Sequence, residues 1–275
     1  TGTVGGHVAR LLAERGAEAW AATRRPAATA DTLPLPAVRF DFEDPSTYDA
    51  FHGVDRLFLV RPPALTWVWN SILPALRAAE RAGVERVVFL SVLGAGQNPF
   101  VPHRWIEWFL EASGLQWTFL RPSFFMQNLA TTHRADIRDE GRIAVPAGQG
   151  RTSFVDARDV AAVGVRALLE TGHEQTAYSL TGAEALTYGE VASIFSDVLD
   201  RDIRYTNPSF LDFGRHMRDQ GHPWPFVGVM MGIYLTARLG LARRVTGDLE
   251  AVLGRPPRSM RQFVEDNRAC WAPSR

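Results

Sequence analysis

"TGTVGGHVARLLAERGAEAWAATRRP" (residues 1–26) decides how the rest of this chain is read. Gly2 and Gly5 stand just ahead of a run in which Val4, Val8, Leu11 and Leu12 recur at i, i+4, i+7 and i+8, one face of a helix. Gly16 falls where a left-handed residue ends such a helix, and "AEAWAATR" (17–24) then has the apolar character of a strand. Glycines at the mouth of a helix leave its first-turn N–H groups, including those of Thr3 and Val4, open to a phosphate. A plain tight turn is the bland alternative. About twenty residues on, at the end of that strand, a dinucleotide fold meets the ribose 2′ group. An acidic residue there would suit NAD, but Arg24 and Arg25 occupy it. Forked guanidiniums suit the 2′-phosphate of NADP, unless both are simply solvated.

Further short apolar runs follow at "AVRFDF" (37–42), "RLFLV" (56–60), "RVVFLS" (86–91) and "QWTFLR" (116–121). Between them lie helical stretches at 44–52, 67–82 (interrupted by Pro74) and 103–113. Strands alternating with helices predict an α/β fold, a doubly wound parallel sheet buried on both faces. Beyond about residue 122 the pattern loosens into a helix over 156–170, a strand over 177–182, and a largely helical remainder. Thr187 and Glu190 have capping-box spacing, and "SMRQ" (259–262) repeats it before the last helix. The division expected is a Rossmann-like dinucleotide-binding region over 1–155 and a smaller, mostly helical substrate or lid region over 156–275, with some segments returning to the sheet. Residues 207–245 are expected to close over the reactive end of the dinucleotide. In a doubly wound sheet the first strand is central, so a short apolar strand ending in Gly-Ala is expected ahead of Thr1. Without it, "EAWAAT" and "RLFLV" would each face an empty slot.

Composition narrows the function classes. Net charge is zero, with 30 basic and 30 acidic residues, so no global field draws in nucleic acid or an anionic membrane. The most apolar stretch, "FVGVMMGIYLTARLGLA" (226–242), contains Arg238 and falls short of the ~20 residues that span a bilayer. It is read as a core or lid helix. The single cysteine, Cys270, excludes a disulfide framework and fits a reducing, cytoplasmic setting. The seven histidines show no metal-ligand spacing, and no G-x-S-x-G elbow exists.

The same segments carry a resemblance. "ATRRP", "VRFDFEDPSTYDAFHGVDRLFLVRPP", "AAERAGVERVVFLSVLGA", "HRWIEWFLEASGLQWTFLRPSFFMQNL", "FVDARDVA" and "GRPPRSMRQFVEDN" together resemble the NmrA-like group of atypical short-chain dehydrogenases. That group's loop reads G-A-T-G-x-x-G, onto whose second half Thr1, Gly2 and Gly5 fall. The resemblance implies that Asp41 and Phe42 flank an adenine and that Val60, Arg61 and Pro62 lie beside the central ribose and phosphates. Ser91 and Val92, then Pro122, Ser123, Phe124 and Phe125, would surround the nicotinamide. Phe100, Phe125 and Asn128 would line a flat, apolar substrate pocket.

One common chemistry is excluded outright. All thirty basic residues are arginine, so the Tyr-x-x-x-Lys pair, in which lysine lowers a tyrosine pKa for proton exchange with an alcohol, cannot form. "PHRWIEWFLE" instead offers His103, as a catalytic imidazole or as a helix-start residue. Glu107, one turn on, either orients it or makes a surface pair. The expectation is an NADPH-dependent reductase passing hydride to a quinone, enone or azo compound, with NADP(H) preferred over NAD(H). The partners expected are a small flat aromatic or quinone-like substrate and a possible second copy, with no nucleic acid and no membrane. The rival is a silent NAD(P)-binding redox sensor acting through a protein partner.

Overall fold

The computed structural model describes residues 2–30 and 32–272; Thr1 lies outside the described residues. The chain forms two compact units. The first comprises residues 1–122, 157–180 and 251–254, and the second 123–156, 181–250 and 255–275. The chain thus crosses between the units several times.

The first unit opens with helix α1 (Thr3–Glu14), which buries Val4, Val8 and Ala9 and ends at Gly16 with φ +64°. Strand β1 (Ala21–Thr23) pairs in parallel with β2 (Ala37–Arg39), with helix α2 (Pro26–Ala30) between them. β1 is shorter than the apolar run at 17–24. The stretch at 44–52 is a 3-10 helix, Pro45–Phe51, capped by Asp44 accepting from Ser46 N. Next come β3 (Arg56–Val60), α3 (Ile72–Arg81), β4 (Arg86–Leu90), α4 (Pro102–Ala112), β5 (Gln116–Pro122), α5 (Ala157–Leu169) and β6 (Thr176–Leu180). Pro74 does not interrupt α3. The helix starts at Ile72, so the proline sits in the first turn, where its missing N–H has no intrahelical acceptor to lose.

β3 to β6 form one parallel sheet in the order β6-β5-β4-β3, while β1 and β2 form a separate two-stranded sheet. Among the described residues the ladder is therefore broken between "EAWAAT" and "RLFLV". Val87, Val88 and Phe89 of β4 are wholly buried, the continuous apolar run that a sheet covered on both faces requires. Leu59, Val68, Ile72, Leu76, Ile106, Leu110 and Phe119 complete that core.

The second unit is mainly helical around a core containing Phe154, Tyr188, Phe195, Phe213, Tyr234, Phe263 and Trp271. Both halves of the Thr187–Glu190 capping box form at the start of helix Tyr188–Leu199. Ser259 accepts from Gln262 N ahead of helix Met260–Asp266. Helix Trp224–Arg238 buries Val227, Met230, Tyr234 and Ala237 and leaves Val229 and Leu235 exposed. Residues 207–245 lie wholly within this unit. Among the described residues, no helix is long and apolar enough to cross a membrane.

Candidate active site

The N-terminus of α1 leaves backbone donors without a cap. Gly2 is its extended N-cap (φ −86°, ψ −166°) and no side chain caps the helix. The first-turn donors of Thr3, Val4 and Gly5 consequently have no intrahelical acceptor. A Cβ placed on Gly2 or Gly5 would meet no atom of the described residues within 4 Å, so packing among them does not demand glycine at either position. That arrangement fits a pyrophosphate. Arg24 and Arg25 are exposed just past β1. Their turn is tied by Arg25 N to Thr23 Oγ1 (3.2 Å) and by Thr29 Oγ1 to the Arg25 carbonyl (3.0 Å).

After β2, Asp41 Oδ1 accepts from Glu43 N at 3.1 Å, and Asp41 N donates to Thr47 Oγ1 at 3.0 Å. Asp41 thus shapes its own turn, while Asp44 caps the helix that follows. The Phe42 carbonyl accepts from Tyr48 Oη at 2.9 Å, and its ring stands edge-on to Phe40.

The C-terminal ends of β3, β4 and β5 carry the densest chemistry. The β4–β5 ladder continues past β4 through Ser91 N to Leu120 O (2.8 Å) and Leu93 N to Pro122 O (2.9 Å). Ser91 Oγ donates to Glu107 Oε1 at 2.7 Å. Glu107 is fully buried and also receives Arg121 on both oxygens (2.9 Å each) and Arg104 on Oε2 (3.1 Å). This corrects both expectations for Glu107: it neither orients His103 nor makes a surface pair. Arg121 in turn lies so close beneath Gly96 that a Cβ there would sit 2.9 Å from its guanidinium nitrogens.

His103 has a different partner. Arg61 Nε donates to His103 Nε2 at 3.4 Å, and the imidazole stacks on Phe89 (6.0 Å, 26°). Burial first, then the Arg61 charge, pushes the imidazole down to about 3, so the ring is neutral near pH 7. Since Nε2 accepts, the ring proton is assigned to Nδ1. Arg61 also donates from Nη1 to the carbonyls of Pro62 (3.1 Å), Pro63 (3.3 Å) and Leu65 (2.9 Å), fixing the loop after Val60.

Several site residues named from the resemblance belong to the second unit. Ser123 Oγ donates to the Ser153 carbonyl, Phe124 stands edge-on to Phe154 at 5.6 Å, and Phe125 pairs with Val155 in a short parallel ladder. The Asn128 carbonyl accepts from His133 N at 3.1 Å. Phe100, in the first unit, is 85% exposed. Among the described residues, no group of three or more His, Cys, Asp or Glu could hold a metal.

Sequence reading missed the Ser91–Glu107–Arg121 cluster and the role of Arg61 toward His103. Their partners lie 14 to 42 positions apart, beyond the reach of local spacing.

Comparison with known proteins adds to this geometry. The chain is 35% identical to the NAD(P)H azoreductase of Xenophilus azovorans, over 98% of this chain and 96% of that protein. The fold is shared with the triphenylmethane reductase of Citrobacter sp. complexed with NADP(H) (TM-score 0.84, 24% identity, 97% and 96% of the two chains). It is shared equally with an NADPH-dependent quinone oxidoreductase of Escherichia coli complexed with NADPH (TM-score 0.85, 24% identity, 96% of each chain). Residues 1–220 match the NmrA-like family, and the chain belongs to that family.

Proposed function

We propose that this protein is an NADPH-dependent reductase that delivers hydride to a flat, electrophilic acceptor, a quinone, enone or azo compound, without a tyrosine–lysine pair. The observation that carries the reading is the Arg61–His103 pair at the strand ends: a half-buried, neutral imidazole held by a cation. The azoreductase relative supports a nicotinamide-dependent reduction.

The uncapped N-terminus of α1, with Gly2, Thr3, Val4 and Gly5, would hold the pyrophosphate. Arg24 and Arg25 would take the 2′-phosphate. Asp41, Phe42, Val60, Pro62, Ser91, Val92, Pro122, Ser123 and Phe124 are the further candidates for dinucleotide contacts, and Phe100, Phe125 and Asn128 for the acceptor. Bound NADPH supplies the hydride. Burial, with the Arg61 charge second, keeps His103 uncharged, and Arg61 fixes its tautomer, which leaves Nδ1–H as a donor toward negative charge arising on the acceptor. A quinone needs little more, because its two-electron product is stabilised and takes its proton from water. The absence of lysine, which removes the pair used on alcohols, matches that undemanding acceptor.

The test is steady-state oxidation of NADPH with a panel of quinones and azo dyes. Turnover with at least one acceptor is expected. Tight dinucleotide binding with no turnover on any of them would replace the enzyme by the redox sensor.

A further inference from the structure

Three tryptophans of the first unit gather at one place on the surface. Trp67 and Trp69 are 62% and 50% exposed, and both face the half-buried Trp105 of α4, with ring centroids 6.2 and 6.1 Å away. The interplanar angles are 81° and 35°, so no indole face is consumed by flat stacking within the cluster.

The exposure is built in. Between the two outer indoles, Val68 is wholly buried and anchors a 3-10 turn, Val68–Asn70, in the sheet core. Ser71 Oγ holds the Trp67 carbonyl at 3.2 Å, and Arg61 holds the loop at Leu65. Trp105 Nε1 is fixed on the Pro99 carbonyl at 2.8 Å. A loop pinned at these points presents indoles to solvent in a set geometry, where a collapsing loop would have buried them. Single exposed apolar side chains are ordinary, but a contiguous group marks a binding surface.

We propose that Trp67, Trp69 and Trp105 form a stacking site for an uncharged planar aromatic molecule. The choice of ligand rests on the reductase reading, whose acceptors belong to this class. Two features of the cluster favour it. Residues 62–76 and 92–102 contain no ionisable side chain, and the flanking Arg61 and Arg104 are engaged with loop carbonyls and with Glu107 and Glu111. The exposed surface of Trp67 and Trp69 is on the order of 300 Å², taking ~250 Å² per tryptophan. A stable protein interface buries ~800 Å² a side, whereas one or two fused rings suffice to cover this patch.

The experiment titrates azobenzene into the protein without NADPH and follows the indole N–H signals by NMR, assigned with the Trp→Phe variants. The signals of Trp67, Trp69 and Trp105 should move, while those of Trp20 and Trp108, also exposed, should not. Trp67→Ala with Trp69→Ala should weaken azobenzene binding about tenfold or more, given ~1–3 kcal/mol per stacked ring. Equal shifts at all exposed tryptophans, or unchanged affinity in the double variant, would overturn the site. So would cluster signals that move with protein concentration alone, since a second copy then covers the patch. Turnover is measured separately. Intact azobenzene binding with no NADPH oxidation on any acceptor of the panel would end the reductase reading and leave the stacking site standing.

Discussion

Glu107 accepts Arg121 on both carboxylate oxygens, at 2.9 Å each, with none of its own surface exposed. The pair joins α4 to the end of β5, and the Ser91 hydroxyl adds the end of β4. Removing one partner of a buried pair strands the other charge. Glu107→Ala should therefore cost ~3–5 kcal/mol and lower the melting temperature by on the order of 10 °C. Arg121→Ala in the same chain should add much less than it does alone, as coupled residues do. Additive losses in calorimetry would show that the two groups do not act as a unit.

Two imidazoles withdrawn from water, the half-buried His103 and the buried His133, make stability depend on pH. Burial, then Arg61, lowers His103 to about 3, and burial lowers His133 in the second unit to about 4. An unfolded histidine binds its proton near pH 6.5. Between that value and the folded ones the unfolded chain holds protons that the folded chain does not. Their neutral burial is fully tolerated above about pH 6.5 and becomes costly as the pH falls below it. Urea unfolding at about pH 5 and pH 7.5 should show the loss, and His103→Asn or His133→Asn should flatten it. An identical slope in both variants would remove these histidines as its source.

How far the sequence spoke depended on the range of the interaction. Runs such as "RVVFLS" and "QWTFLR" gave β4 and β5 because burial on both faces leaves a continuous apolar signature. The Thr187–Glu190 box was legible because a cap is local. The stretch at 44–52 reads as helical in the sequence and folds as a 3-10 helix, Pro45–Phe51: a run of about two turns is too short for its apolar spacing to separate a period of 3.0 from one of 3.6. His103 and Glu107 share a helix face by their spacing. Their partners Arg61, Ser91 and Arg121 come from three different strand ends, which no local period encodes.

Dinucleotide choice should follow Arg24 and Arg25. Both are exposed beyond β1, beside a turn held by Thr23 and Thr29, and neither is committed to a carboxylate among the described residues. Charge-assisted bonds to a 2′-phosphate should make NADPH bind about 1–3 kcal/mol more tightly than NADH. Replacing both by Ala should erase that difference and leave NADH binding nearly unaltered. Equal affinities in the unaltered protein, read by titration calorimetry, would eliminate the clamp.

His103 offers the sharpest separation of binding from turnover. Its Nε2 is occupied by Arg61 and its ring rests on Phe89, so only Nδ1–H remains to serve an acceptor. As a neutral imidazole it lends a hydrogen bond and releases no proton near pH 7, because its acid form is reached only near 3. His103→Ala should thus slow turnover by roughly 10²–10³, the usual loss for one donor to developing negative charge, with dinucleotide affinity nearly unchanged. His103→Asn, which keeps an N–H of similar reach, should restore part of the rate. The unaltered protein should show a turnover rate without a histidine inflection between about pH 5 and 8, since the group does not titrate there. An unchanged rate for His103→Ala with several acceptors would reduce the residue to packing on Phe89, and an inflection near pH 6.5 that vanishes in the variant would mean that the imidazole does exchange its proton.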